Sequence, residues 1–337
     1  MHVLITGGAG FIGSHLADYH LAKGDQVHVV DNMSTGCLDN LRAHLNNQDF
    51  HFHEADILEW QGLKTAVAWA DRIYHLAAVV GVQRVLEDPV RVMSTNMAGT
   101  ERVLRAVHED VWSPQVLLAS SSEVYGFNNV SPYSEDAQLV FASNGRLRWS
   151  YALSKLADEY LGFAYHRGKE IDVRVVRLFN TVGPRQVGRY GMVLPRFVRQ
   201  AVQGEPITVF GDGEQTRSFC DVRDTVVALD MLSRNPDTAG EVVNVGSERE
   251  ISINALAQLV RGRADSSSPI VHLSYGEAYG EEFEDIRHRR PVLDKLRAYT
   301  GFQPRWTLEQ TIDELIAHQR HKAKLVAANK NEQVITG

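Results

Sequence analysis

The chain has 337 residues, a formal net charge of -7 and a hydrophobic fraction of 44%, so it is long enough for about two domains with buried cores and carries no general attraction for phosphate backbones or anionic lipid. Nucleic acid is excluded as an expected partner. Its two cysteines, Cys37 and Cys220, are too few for a disulfide framework and fit a reducing compartment; no apolar run approaches the ~20 residues that span a bilayer, no membrane partner is expected, and the first strand starts at His2 without an export leader, so a cytoplasmic protein is expected.

The first elements in the chain are a strand, "HVLITG", a glycine-rich turn, a helix, "SHLADYHLAKG", and a second strand, "QVHVVD", ending in Asp31. In this setting Gly7 or Gly8 permits the tight turn, Gly10 lets the backbone approach a pyrophosphate, and Gly13 lets the helix pack close to the sheet. An acid at a strand end, 18 residues after Gly13, completes a dinucleotide fingerprint. Asp31 is expected to accept hydrogen bonds from both adenosine ribose hydroxyls and to repel a 2'-phosphate, which favours NAD over NADP. "HFHEADI" puts His51 and His53 on one face of a strand. No third ligand stands near them in sequence, so the stretch reads as a strand leading to Asp56 and not as a metal site.

Further apolar, β-branched runs follow, "RIYHLAA", "QVLLASS", "DVRVVRLFN" and "EVVNVG", alternating with segments at helical spacing. Runs apolar on both faces are what a parallel sheet covered by helices requires, so the fold class is α/β, a Rossmann-like doubly wound parallel sheet. "RWSYALSKLADEYLGFAYHR" is helical by spacing and places Tyr151 and Lys155 at i and i+4 on one face. A phenol serves as a base near neutral pH only if its pKa falls by about 3 units, or about 4 kcal/mol; a neighbouring ammonium and a positive nicotinamide ring both act in that direction. After Asn180 the texture breaks into Gly/Pro-punctuated pieces, "TVGPRQVGRYGMVLPRF" and "QGEPITVFGDGEQT", which implies a second, smaller and interrupted C-terminal domain. The final "HKAKLVAANKNEQVITG" loses apolar spacing and reads as a frayed tail.

Taken together, "TGGAGFIGSHL", "DNMSTG", "HLAA", "SSSEVYG", Tyr151 with Lys155, "RLFNTVGPR", "ITVFGDGEQTRSF" and "NVG" resemble the extended short-chain dehydrogenases/reductases that modify nucleotide sugars. The resemblance runs from His2 to about His318. It implies an NAD-binding domain over 1–180, with 216–248 returning to it, a nucleotide-sugar-binding domain over 181–215 and 249–322, and a tail over 323–337. For the cofactor it implies contacts from Gly7, Gly10, Phe11, Ile12 and Gly13, and from Asp31, Asn32, Ser34, Thr35 and Gly36. Asp56 and Ile57 match the adenine contacts, and Leu76, Ala77, Ala78 and Asn96 join Tyr151 and Lys155 at the nicotinamide end. Ser121 is expected to hydrogen-bond the reacting sugar oxygen. For a UDP-sugar the resemblance implies Val80, Asn180, Arg185 and Val193, together with Thr208, Phe210 and Arg217; an aromatic stacks on a base and a guanidinium forks to phosphate. The helices holding Val90 to His108 and Tyr151 to Arg167 resemble those that pair into a four-helix homodimer interface.

Three reactions on this scaffold share oxidation at sugar C4. A 4-epimerase returns the hydride to the other face and needs no further carboxylate. A 4,6-dehydratase carries an Asp-Glu pair where this chain has Ser122 and Glu123, so the acid for dehydration is missing. UDP-glucuronate decarboxylases carry "TSEVYG", which "SSSEVYG" resembles, and there the glutamate assists decarboxylation and protonation of C5. "EDIRHRRPVLDKLRAYTGFQP" resembles the decarboxylases' "HRKP" segment, and its matching arginine is Arg289, placed to hold the substrate carboxylate or shuttle a proton. "RWSYALSK" also resembles the bacterial decarboxylase of aminoarabinose synthesis, whereas "GPRQVGRYGMVLPRF" is closer to 4-epimerases. The resemblance therefore implies catalysis by Tyr151, Lys155, Ser121, Ser122, Glu123 and Arg289, with UDP-glucuronate decarboxylation first and UDP-sugar 4-epimerisation as the alternative. A non-enzymatic dinucleotide sensor of this fold can dispense with the Tyr/Lys pair, which this chain retains.

Overall fold

The computed structural model describes residues 1–128, 130–142, 146–188, 192–279 and 286–335, and the side chains at 82, 279 and 324–335 lie outside that description. The first half alternates strand and helix: β1 (His2–Thr6), α1 (Phe11–Ala22), β2 (Gln26–Asp31), β3 (Phe50–Glu54), α2 (Leu63–Trp69), β4 (Arg72–His75), α3 (Val82–Glu87), α4 (Pro89–His108), β5 (Gln115–Ser121), α5 (Ser150–Lys169) and β6 (Val173–Leu178). The chain then leaves through β7 (Thr181–Val182), α6 (Val193–Gln203), β8 (Ile207–Phe210), β9 (Thr216–Ser218) and β10 (Cys220–Asp221), and returns with α7 (Val222–Arg234) and β11 (Val242–Val245). It departs again through β12 (Glu250–Ser252), α8 (Ile253–Arg263), β13 (Ile270–Leu273), α9 (Tyr275–Tyr279) and β14 (His288–Arg289), and ends with α10 (Asp294–Thr300) and α11 (Leu308–Ile335).

Seven strands form one sheet in the order β11-β6-β5-β4-β1-β2-β3, all parallel. Val3, Leu4 and Ile5 of β1, an interior strand, are fully buried, because helices cover both faces. One face packs on α1 and α7 through residues such as Leu16, Val226 and Leu229. The other packs on α2 and α4 through Leu63, Val67, Val103 and Leu104. Local chemistry starts these helices where they are needed. Asp88 accepts a hydrogen bond from the Arg91 N–H with Pro89 in the first turn of α4, and Asp221 caps α7 by accepting from the Arg223 N–H, each satisfying a donor the helix leaves unpaired.

The second unit has its own core, in which Phe197 of α6, Val209 of β8, Leu256 of α8 and Ile312 of α11 are buried together. Its strands form small sheets, β12-β9-β14 and β13-β8. Three expected boundaries shift. Thr216–Ser218 pairs with β12 and β14, away from the main sheet, so the return begins after it. Leu293, Leu296 and Phe302 pack in the core around α1 and α7, which takes α10 out of the unit assigned to 249–322; these apolar side chains fill the sheet face that α7 leaves open. The segment expected to be a tail continues α11 to Ile335, its backbone bonded within the helix in spite of the lost apolar spacing; 336 and 337 lie outside the described residues. Among the described residues no helix is long and apolar enough to cross a membrane.

Candidate functional site

A cleft of about 480 Å³ lies at the C-terminal ends of the central strands and is walled on its far side by the second unit. Its first wall is the turn between β1 and α1. Gly7 has φ +72°, and a Cβ there would lie 2.8 Å from the Ala77 nitrogen. A Cβ on Gly13 would come within 2.4 Å of the Gly7 carbonyl oxygen, so both positions require glycine. The choice between Gly7 and Gly8 resolves here: Gly7 makes the turn and lines the cleft, while Gly8 lies against Val29, whose side chain a Cβ would strike at 2.6 Å. α1 begins after Gly10 with no side-chain cap, and Phe11, Ile12 and Gly13 line the cleft. Unpaired N–H groups at such a start suit a pyrophosphate.

At the end of β2, Asp31 accepts hydrogen bonds from the backbone N–H of Met33 (2.8 Å) and of Ala9 (3.0 Å). Burial raises its carboxyl above the usual range, against the backbone donors that favour the charge. Asn32 donates to Asp56 (2.9 Å), and Asn32, Ser34, Thr35, Asp56 and Ile57 line this end. A glycine cradle, a free helix start and a buried carboxylate at one strand end together fit a dinucleotide with an unphosphorylated ribose. Leu76, Ala77, Ala78 and Val80 form the adjoining wall.

The reacting end is built from β5 and α5. Tyr151 and Lys155 emerge on one face of α5 into the cleft, beside Ser121 and Ser122. The Ser121 hydroxyl accepts from the Glu123 N–H (3.2 Å) and hydrogen-bonds the Tyr151 phenol. Burial pushes that phenol above its ordinary pKa; Lys155 offsets this only in part, and the Glu123 charge adds to it. Burial thus favours the protonated phenol, and a further positive charge beside it would act in the opposite direction. Lys155 donates to Asp158 (3.1 Å), whose carboxyl is raised by burial against the pull of the ammonium.

Glu123 sits in the short turn after β5, largely buried, with Arg289 donating to one carboxylate oxygen and Arg148 to the other (3.2 Å). Burial would raise the carboxyl, but the two guanidiniums outweigh it and hold its pKa at about 2. Arg289 also donates to Asn180 Oδ1 (3.1 Å), and Asn180 in turn donates to the Ser218 carbonyl (3.0 Å). Farther along, the Arg196 guanidinium lies 3.8 Å from the Phe210 ring centre, and Arg217 donates to the carbonyls of Thr216 and Ile286 (2.7 and 2.8 Å). Val193, Phe210 and Arg217 all line this end.

Four expected contacts fall outside the cleft lining. Gly36 lies under Asp31, where a Cβ would come 2.8 Å from Oδ1. Asn96 stands one layer behind, accepting from the Val79 N–H (2.8 Å) and donating to Ser154 Oγ (3.0 Å), so it braces the wall. Arg185 is drawn into an ion pair with Asp18 (2.8 Å), and the Thr208 hydroxyl is taken by Gln200 (3.0 Å). Conversely, Arg148, Gln186, Arg196, Gln215 and Tyr275 line the cleft without having been expected. Arg148 stands three residues before Tyr151, but it belongs to a separate turn, Leu147–Trp149, ahead of α5, so helical spacing from Tyr151 did not single it out. His51 and His53 pack around His28 and Trp60, and among the described residues no group of three or more His, Cys, Asp or Glu is placed to hold a metal ion.

Residues 3–246 match the NAD dependent epimerase/dehydratase family. The chain is 38% identical over 314 residues to a UDP-N-acetyl-alpha-D-glucosaminuronate decarboxylase of Bacillus cytotoxicus, covering 93% of this chain and 96% of that protein. It is 35% identical to UDP-glucuronic acid decarboxylase 1 of Xenopus tropicalis, over 97% of this chain and 74% of that one. Among solved structures, the UDP-glucuronic acid 4-epimerase of Bacillus cereus, in complex with UDP-glucuronic acid and NAD, superposes with a TM-score of 0.85 at 27% identity, covering 95% of this chain and 99% of that chain. The protein belongs to the NAD dependent epimerase/dehydratase family.

Proposed function

We propose that the protein removes carbon dioxide from a UDP-linked uronic acid, UDP-glucuronate first, after oxidation at sugar C4, using NAD. The observation that carries this reading is the Glu123 carboxylate held between Arg289 and Arg148 beside Ser121 and Tyr151, in a chain whose relatives over nearly its whole length include uronate decarboxylases. Gly7, Gly10, Gly13 and Asp31 would hold NAD, which when bound supplies a reversible hydride acceptor at C4 and a positive ring beside Tyr151. Tyr151, steadied by Ser121 and with Lys155 countering its burial, takes the C4 hydroxyl proton. The C4 ketone is then β to the uronate carboxylate. The bond from C5 to the carboxyl carbon breaks, its electron pair enters the ketone, and C5 needs one proton, for which a single carboxyl group in reach suffices. Asn180, Phe210 and Arg217 suit the UDP end, a stacking ring with forked donors to phosphate.

The likeness to the Bacillus cereus UDP-glucuronic acid 4-epimerase favours 4-epimerisation as the second reading. Incubating the protein with UDP-glucuronate, UDP-N-acetylglucosaminuronate, UDP-glucose and UDP-N-acetylglucosamine separately, and identifying products by mass, decides between them. Loss of carbon dioxide from a uronate is expected. An isomer of unchanged mass and no loss from either uronate would promote the epimerase. A homodimer through α4 and α5 belongs to the same reading: the two helices pack together and leave Val90, Met97, Leu153 and Tyr160 exposed. The free thiols of Cys37 and Cys220 fit a cytoplasmic setting.

A further inference from the structure

Glu123 has one carboxylate and faces two guanidiniums in a cleft that, on the reading above, receives a second carboxylate from the uronate. The two contacts are unequal. Arg289 is fixed by its strand pairing with β9 and by Asn180, and its Nε–H is a buried donor with no partner among the described residues. Arg148 makes the longer contact, 3.2 Å. It rides on a single turn with its guanidinium 4.4 Å from the Trp149 ring centre, a flat surface over which a planar cation shifts while keeping its stacking.

We propose that Arg148 is shared between Glu123 and the substrate's uronate carboxylate, passing to the substrate on binding, and that this exchange is what lets Glu123 take up the proton it later gives to C5. The last step rests on the decarboxylase reading; the exchange itself does not. Among the described residues, the Glu123 carboxylate faces two guanidiniums before binding; the uronate adds a second carboxylate to share them, and a proton from solvent on Glu123 offsets that added charge. Like charge from the uronate and loss of Arg148 both raise the proton affinity of Glu123, which in the free site is ionised at neutral pH. When the bond from C5 to the carboxyl carbon breaks, neutral carbon dioxide leaves and the electron pair forms the C4 enolate. C5 then takes the Glu123 proton, the C4 ketone re-forms, and the Glu123 carboxylate regains both arginines, which favours transfer toward carbon.

The titratable and charged groups facing Glu123 among the described residues are Arg289, Arg148, Tyr151 and Tyr133. Burial pushes both phenols up, so neither titrates between about pH 6 and pH 8, and proton uptake in that range reports Glu123. The test is calorimetric titration of the NAD-loaded Tyr151→Phe protein, which does not oxidise C4, in buffers of different ionisation enthalpy. UDP-glucuronate is expected to bind with proton uptake that grows toward one per site as pH falls from about 8 to about 6, and UDP-glucose with almost none. Adding Arg148→Met, which keeps an unbranched apolar stem and removes the charge, is expected to weaken UDP-glucuronate binding by roughly tenfold or more and UDP-glucose binding by less than roughly twofold. Arg148→Lys is expected to restore part of the loss. Uronate binding without proton uptake overturns the exchange, and that measurement needs no change at position 148; so does an Arg148→Met variant that weakens both ligands equally. Failure of the decarboxylase reading looks different: wild-type protein then releases no carbon dioxide from either uronate, whatever the proton count.

Discussion

Glu123 and Asp31 are both carboxylates at the C-terminal end of a β-strand or just beyond it, yet their surroundings drive them apart. Among the described residues Asp31 meets only backbone donors, and burial wins, raising its carboxyl; Glu123 meets two arginines, and they win, holding it at about 2. A group whose folded pKa is depressed stabilises the fold above its unfolded pKa and loses that contribution as pH falls through the folded one. Glu123→Gln should therefore lower the melting temperature of the ligand-free protein near pH 7, and the gap to wild type should close as pH falls from about 4.5 toward 2. Thermal melts of the two proteins across that range check this; a constant gap would refute it. In catalysis, Glu123→Gln keeps the shape but not the proton, so steps after C4 oxidation should slow by roughly 100-fold or more, with NADH absorbance accumulating in a single turnover. Asp31→Ala removes the ribose acceptor and the charge that repels a 2'-phosphate, so fluorescence titration should find NAD binding weakened more than NADP binding.

At the scale of elements, α1 approaches the sheet only because Gly13 has no side chain. Gly13→Ala would place a methyl 2.4 Å from a backbone oxygen, which no rotamer change relieves, so the helix start must shift away from the cleft. Fluorescence titration should find NAD binding weakened, and the melting temperature should drop. Gly168, near the end of α5, is the control: a Cβ there meets nothing within 4 Å, and Gly168→Ala should stabilise by up to about 1 kcal/mol through helix propensity. Equal effects at the two positions, read by calorimetry, would refute the close-packing account. The β5 turn works by a similar constraint: the Ser121 hydroxyl holds the Glu123 N–H, fixing the backbone that carries the carboxylate beside Tyr151.

Across the whole molecule, the reacting end is assembled from both units. Arg289, on β14 of the second unit, crosses to Glu123 on the first, so the ion pair forms only when the units are seated together. α4 and α5, which brace the cleft from behind through Asn96 and Ser154, also expose Tyr160 and Leu153. If the proposed homodimer forms through these helices, Tyr160→Glu should shift light-scattering mass from dimer toward monomer, since a charge in an apolar contact is costly to bury; a dimer left intact by the change would place the interface elsewhere, and a monomeric wild type would reject the homodimer.

Periodicity and adjacency are local properties, so the amino-acid sequence by itself determined what they govern. It determined the doubly wound sheet, the glycine turn with Asp31 at the next strand end, Tyr151 and Lys155 on one helix face, and a carboxylate just after β5. Folding decided what depends on segments far apart in the chain. Arg289 reaches Glu123 across 166 positions because β14 pairs with β9. Arg148 joins them through a turn that helical spacing did not describe. Arg185 and Thr208 turn away because Asp18 and Gln200 compete for them, and α10 moves to the main core because its apolar face fits there. Such choices rest on which surfaces meet, and a side chain's partner across the fold leaves no period in the sequence around it.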